Sequence, residues 1–183
     1  MKTFFISVVF ILITCNSFGQ NIYWEILQGG LTFGFPKDIE ENVVSEDWAR
    51  KPTTRFIVGS EIRTNFMENR LSPGIQFTFS EWKRFSPNGS YAKQQFSFIY
   101  LAVCDYNFPK ENRRIMPYAG VGIGLSQVVT NEIGYGYVRP VHFAFSPRIG
   151  IEILKQLRIA AEYKYQGNGN NFFCVKAGVV IKM

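Results

Sequence analysis

Few side chains in this 183-residue sequence have the type and spacing that chemistry requires. His142 is its only histidine, and it stands in the run Val141-His142-Phe143-Ala144-Phe145-Ser146. A general base must lie within hydrogen-bond reach of the group it deprotonates. On a strand, four residues span about 13 Å at 3.3 Å per residue, which puts Ser146 out of reach. The same-face position two residues on is Ala144. A serine from another strand would be needed to complete a pair. The expectation is therefore no catalytic residue, with His142 a satisfied polar side chain near a rim.

Metal chemistry lacks its ligand sets as well. There is no second histidine and no closely spaced cysteine pair, so neither a metal nor a cofactor is expected. The acidic residues Asp38, Glu40, Glu41, Glu46 and Asp47 could attract divalent cations, but a solvated loop face accounts for them. Cys104 and Cys174 could pair in an oxidising compartment. A disulfide needs Cα atoms within about 7 Å, and the strand count below places the two cysteines across the fold from each other, on different faces. Both thiols are expected free.

The formal charge is +6 and the sequence pI about 9.3. Lys and Arg are spread over the whole chain, with no zinc-finger spacing, aromatic RNA-binding motif or basic helix, which argues against nucleic acid. Lipopolysaccharide phosphates are the expected anionic neighbours.

The first residues read as a targeting segment. Lys2 supplies the charged end, Phe4 to Ile13 an apolar run too short to cross a bilayer, and Ser17-Phe18-Gly19 the small residues of a cleavage site. Residues 1–19 are expected to be a signal peptide and 20–183 one domain. Leu12-Ile13-Thr14-Cys15 resembles a lipobox, but Thr14 fits poorly before the cysteine, so lipidation is not expected.

The elements that must position everything else are strands. From Glu25 on the hydropathy period is two. In Leu157 to Tyr165 the odd residues are apolar or aromatic, and Arg158, Glu162 and Lys164 fall on the other face. Val141 to Ile153 and Phe173 to Lys182 repeat this. A soluble sandwich would show the same alternation. Segments of about ten residues, aromatics clustered at segment ends, and alternating short and long connections point instead to a transmembrane barrel. Eight segments are predicted: 25–35, 55–66, 71–82, 94–107, 115–129, 141–153, 157–166 and 172–182. The short connections belong to the periplasmic side, as do both termini.

Pro117-Tyr118-Ala119-Gly120-Val121-Gly122-Ile123-Gly124, and the hairpin of residues 147–153 with Leu157 to Tyr165, resemble a family. It is the small outer-membrane β-barrel domain of Gram-negative bacteria, similar to the OmpA-type transmembrane domain. The resemblance implies an all-β, eight-stranded, up-and-down antiparallel barrel in the outer membrane, surrounded by lipids and lipopolysaccharide and inserted by the barrel-insertion machinery. Such barrels often end in an aromatic residue which that machinery recognises, whereas this chain ends Val180-Ile181-Lys182-Met183. No appended peptidoglycan-binding domain is expected, so a wall-anchoring role is not carried over from the resemblance.

Gly120, Gly122 and Gly124 are predicted to face the lumen. They would leave room for Arg148, Glu152, Arg158, Glu162, Lys164 and Lys176, joined by Arg55, Glu61 and Arg63, to pair inside. Glu152 and Glu162, the only carboxylates on the last three segments, are expected to stay ionised. Function then narrows to a structural or surface-interaction barrel contacting an unknown protein or ligand through its outer loops. The alternatives are a lipid A-modifying enzyme, which some barrels of this size are, or a narrow pore. The first is the expected reading.

Overall fold

A computed structural model describes residues 22–33, 54–67, 70–85, 91–108, 114–132, 135–138, 140–167 and 171–182. The targeting segment, Cys15 and the acidic loop lie outside these residues. The strands are β1 (Ile22–Phe33), β2 (Thr54–Thr64), β3 (Leu71–Phe85), β4 (Tyr91–Asn107), β5 (Ile115–Glu132), β6 (Tyr135–Val138), β7 (His142–Ile153), β8 (Leu157–Lys164) and β9 (Phe172–Lys182). Each pairs antiparallel with its neighbour. β1 pairs with β9 and β4 with β5, so eight strands close a ring, with β6 an addition on the end of β5.

The closure has a definite stagger. A register row starting at Met116 on β5 passes through Glu152, Arg158, Gly178 and Gln28, and onward through β2, β3 and β4. It returns to β5 at Ser126, ten residues further along. Stagger of that size tilts the strands of a small barrel by about 35–45°. It also means that residues far apart in sequence meet across the lumen at one height.

The facing predicted for β7–β9 holds. Phe143, Ile149, Tyr163, Val175, Val179 and Ile181 lie exposed on the outer surface, while Arg148, Glu152, Arg158, Glu162, Lys164 and Lys176 are buried inside. No helix among the described residues is long and apolar enough to cross a membrane. The apolar belt is on the strands. Trp24, Tyr106 and Phe108 mark its edge at the short-turn end, and Phe33, Phe145, Tyr165 and Phe173 the opposite edge. Such paired aromatic girdles are the signature of a barrel that spans a bilayer.

Two features depart from the prediction. The connection predicted at Thr130 to Pro140 instead holds the last residues of β5 and the whole of β6, whose Tyr135–Val138 pairs with Val129–Glu132. The glycine at position 136 hides this strand in a short, weakly patterned run. Second, β1 carries a bulge between Glu25 and Gln28. An extra residue in one strand shifts the alternation, so Glu25 and Gln28 both point inward although their numbers differ in parity.

The turn joining β7 to β8 also lacks its usual signal. Leu154 and Lys155 adopt φ of 53° and 59°, the left-handed region that two-residue hairpin turns require and that Asn-Gly normally supplies.

Candidate functional site

The lumen is where the charged residues converge. Among the described residues it buries five carboxylates (Glu25, Glu61, Asp105, Glu152, Glu162) and five cations (Arg63, Arg148, Arg158, Lys164, Lys176). Burying charge is costly unless it is paired and hydrogen-bonded, and here the pairing is extensive. Arg148 holds Glu61 at 2.6 and 3.0 Å through its two terminal nitrogens, and Asp105 at 2.6 Å from Nε and 2.7 Å from Nη2. Arg158 donates to Glu61 at 2.8 Å and closely to Asp105, with its guanidinium 3.8 Å from the centre of the Tyr118 ring. Arg63 bonds Glu152 closely and reaches Glu25 at 3.6 Å. Lys164 and Lys176 approach opposite oxygens of Glu162 at 2.6 and 2.8 Å. Each lysine is anchored a second time, to Gln76 and Gln28 respectively.

The glycines make this packing possible. Gly120 lies in register between Asp105 on β4 and Arg148 on β7, and the two side chains meet over it. A Cβ there would stand 2.0 Å from Asp105 Oδ1. Gly150 sits beside Tyr118, whose ring crosses the space its side chain would fill. The predicted glycine stripe does face the lumen, and its effect is to let partners on flanking strands close over it.

Of the predicted charged set, the structure brings together Glu61, Arg63, Arg148, Glu152, Arg158, Glu162, Lys164 and Lys176. The side chain of Arg55 lies outside those described. Asp105 and Glu25 escaped the sequence reading. In β4 the run Phe98 to Val103 is apolar on both faces, so alternation gives no facing, although Asp105 is the one charged residue between Phe98 and Phe108. Glu25 is turned inward only through the bulge.

Toward the long-loop end the lumen changes character. Ile57, Trp82, Ile99, Leu101, Val103, Ala144, Phe172 and Cys174 form a buried apolar cluster, with Trp82 edge-on to Phe172 at 4.9 Å. An eight-stranded barrel has an interior about wide enough for side chains to fill. Here it is filled by ions below and, above, by hydrocarbon with uncharged polar side chains such as Ser97 and Gln166 set among it.

His142 enters β7 at this same end. Its register partner is not Ser146 but Ser126 on β5. The Ser126 hydroxyl donates to the Gln166 carbonyl at 3.3 Å. Ser146 is buried deeper in the lumen, its hydroxyl without a hydrogen-bond partner among the described residues. Only the register could have revealed the Ser126 neighbour. Cys104 is exposed on the outer face and Cys174 buried inside, both free. Among the described residues no three His, Cys, Asp or Glu side chains are grouped to hold a metal.

No family model and no curated protein sequence matches the chain. Among solved structures it is similar to Neisserial surface protein A, NspA, with 14% identity, 90% of this chain and 97% of that chain covered, and a TM-score of 0.51. It is also similar to Ail, the attachment invasion locus protein of Yersinia pestis (15%, 88% and 97%, TM-score 0.43), and to the outer membrane enzyme PagL (12%, 88% and 98%, TM-score 0.44). Of these three, the first superposition alone is close enough to carry an argument, and at such identity it establishes the fold. The chain has the fold of the small outer-membrane β-barrels.

Proposed function

We propose that this chain is exported by residues 1–19 and works as a non-enzymatic outer-membrane barrel whose role is structural or surface-interacting. The observation that carries the reading is the height of one side of the barrel. A tilted strand crosses a bilayer in about 9–11 residues, yet β4 and β5 run for 17 and 18 residues, and β6 adds a further strand at the top of β5. The excess rises as a wall on the long-loop side, where an unidentified protein or ligand would meet it. The filled lumen argues against a pore.

Ser126 beside His142 supports the second reading, a lipid A-modifying enzyme. The deciding experiment compares envelopes of cells with and without the protein. Mass spectrometry of lipid A should show unchanged acylation. Replacing residues 130–140 by a two-residue Asn-Gly turn should leave a heat-modifiable barrel but remove whatever surface ligands the nanodisc-embedded wild type retains. A change in lipid A acylation that His142→Ala abolishes would replace this reading with the enzymatic one.

A further inference from the structure

Three prolines stand inside strands: Pro73 on β3, Pro117 on β5 and Pro147 on β7. A proline nitrogen has no hydrogen, so each removes one donor from a ladder, and for that reason strand prolines are confined to edges and ends. Two of these obey the rule. Phe108 N donates to Pro117 O at 2.9 Å, so Pro117 faces β4, which ends one residue earlier at Asn107. Asn107 N donates to Arg70 O at 2.7 Å, so even positions of β3 face β4 and Pro73 faces β2. The β2–β3 ladder stops at Arg63↔Gly74, and beyond Pro73 only the bridge Phe66↔Leu71 closes the hairpin, so Pro73 stands at the end of the pairing.

Pro147 does not obey it. Phe145 and Tyr165 exchange both backbone bonds, at 3.0 and 2.8 Å, so the odd residues of β7 bond to β8. Pro147 therefore faces Tyr163 in mid-ladder, and the Tyr163 carbonyl loses the donor that strand pairing would supply. The pairing registers the loss. It runs unbroken from Ile153↔Leu157 to Arg148↔Glu162, then recurs only as an isolated bridge at Phe145↔Tyr165. In hydrocarbon, backbone groups have no water to turn to, which is why membrane barrels close every ladder.

The unpaired position lies over a buried hydroxyl. Pro147 and Tyr163 are exposed on the lipid face, bracketed by the aromatic rings of Phe145, Tyr165 and Phe173. Ser146 lies behind them on the lumen face, 1% exposed, with a hydroxyl that has no hydrogen-bond partner among the described residues. We infer that the β7–β8 seam is weak at Pro147 and parts laterally toward the bilayer, so that the hydroxyl- or amide-bearing part of a membrane amphiphile reaches the Tyr163 carbonyl and the Ser146 hydroxyl. The aromatic bracket sets the opening at the depth where the polar parts of lipids begin.

The test uses the full chain in nanodiscs with its native cysteines replaced and one thiol returned, as Ser146→Cys or, on the intact β2–β3–β4 wall, as Thr78→Cys. Thr78 is as deeply buried as Ser146. Pyrene maleimide, which partitions into lipid, should label Ser146→Cys at least tenfold faster than Thr78→Cys, and adding Pro147→Ala should abolish the difference. A sulfonated, membrane-impermeant maleimide should label neither. Equal rates at the two positions, fast labelling of Ser146→Cys by the impermeant reagent, or indifference to Pro147→Ala would each overturn the opening. Should the Pro147→Ala variant not fold, amide exchange of the wild type decides. Tyr163 and Tyr165 must exchange faster than Ile99 and Leu101, and equal protection counts against the proposal.

Discussion

The lower lumen and the upper lumen solve the same filling problem with opposite chemistry. Below, around Arg148, ten charged groups neutralise one another through bidentate and shared contacts. Above, around Trp82 and Phe172, apolar side chains pack beside uncharged polar ones such as Ser80, Gln95, Ser97 and Gln166. The two differ in how they fail. An ionic layer is cooperative, since removing one member leaves its partners charged and dry. An apolar layer fails locally, by a cavity of about the size of what was removed. The apolar layer is also the better seal, because a hydrophobic constriction excludes ions by staying dry.

The comparison breaks first at Arg148. Arg148→Ala removes four hydrogen bonds from Glu61 and Asp105 and leaves Arg158 as the one close cation shared between them, and urea unfolding in vesicles should show a loss of about 3–5 kcal/mol. Glu162→Ala should fall toward the lower end of that range, because Lys164 and Lys176 keep Gln76 and Gln28 as acceptors. In planar bilayers the wild type should be nearly silent, and neither variant should conduct much more while the apolar layer stands. A steady conductance from Arg148→Ala would show that the ions, not the hydrocarbon, are the seal.

Leu101→Ala tests the other layer. It should cost about 2–4 kcal/mol, the cavity scale for a buried leucine, and it should raise the frequency of brief conductance events. Silence in Leu101→Ala together with conductance in Arg148→Ala would invert the assignment of the seal.

Outside both layers, Ile159→Arg places a charge on the lipid face and should cost about 2–4 kcal/mol near the midplane. The effect should be insensitive to salt, unlike changes among the exposed rim charges. Tolerance of Arg at Ile159 equal to that of an outer loop position would mean that the outer face is misassigned.

The smallest effect is expected at Gly120. Gly120→Ala sets a methyl against Asp105 Oδ1 and the Cys104 carbonyl, and overpacking of this kind costs about 1–3 kcal/mol. If Gly122→Ala, where the nearest contacts are the side chains of Leu101 and Val103 at 3.0 Å, proves as costly as Gly120→Ala, then the Asp105–Arg148 crossing is not what Gly120 protects.

What the chain's own pattern determined is the kind of wall. In β7, β8 and β9 every second residue is apolar, and the period of a strand is two, so a shift of one residue would put Arg158 and Glu162 into lipid. That fixes facing locally, without knowledge of any neighbour, and it placed Arg148, Glu152, Lys164 and Lys176 inside correctly. Three things waited for the closed ring. Alternation fails in β4, where Phe98 to Val103 are apolar on both faces, and it slips in β1, where the bulge turns Glu25 inward. The Ser126–His142 adjacency and the meeting of Arg148 with Glu61 across the lumen depend on a stagger of ten residues around eight strands, a property of the whole ring. The break at Pro147 is visible as a residue in the sequence, but whether its missing donor falls at a strand end or in mid-ladder depends on which neighbour it faces. Facing is local physics and legible; register around a closed barrel is a global constraint, and only the tertiary structure decides it.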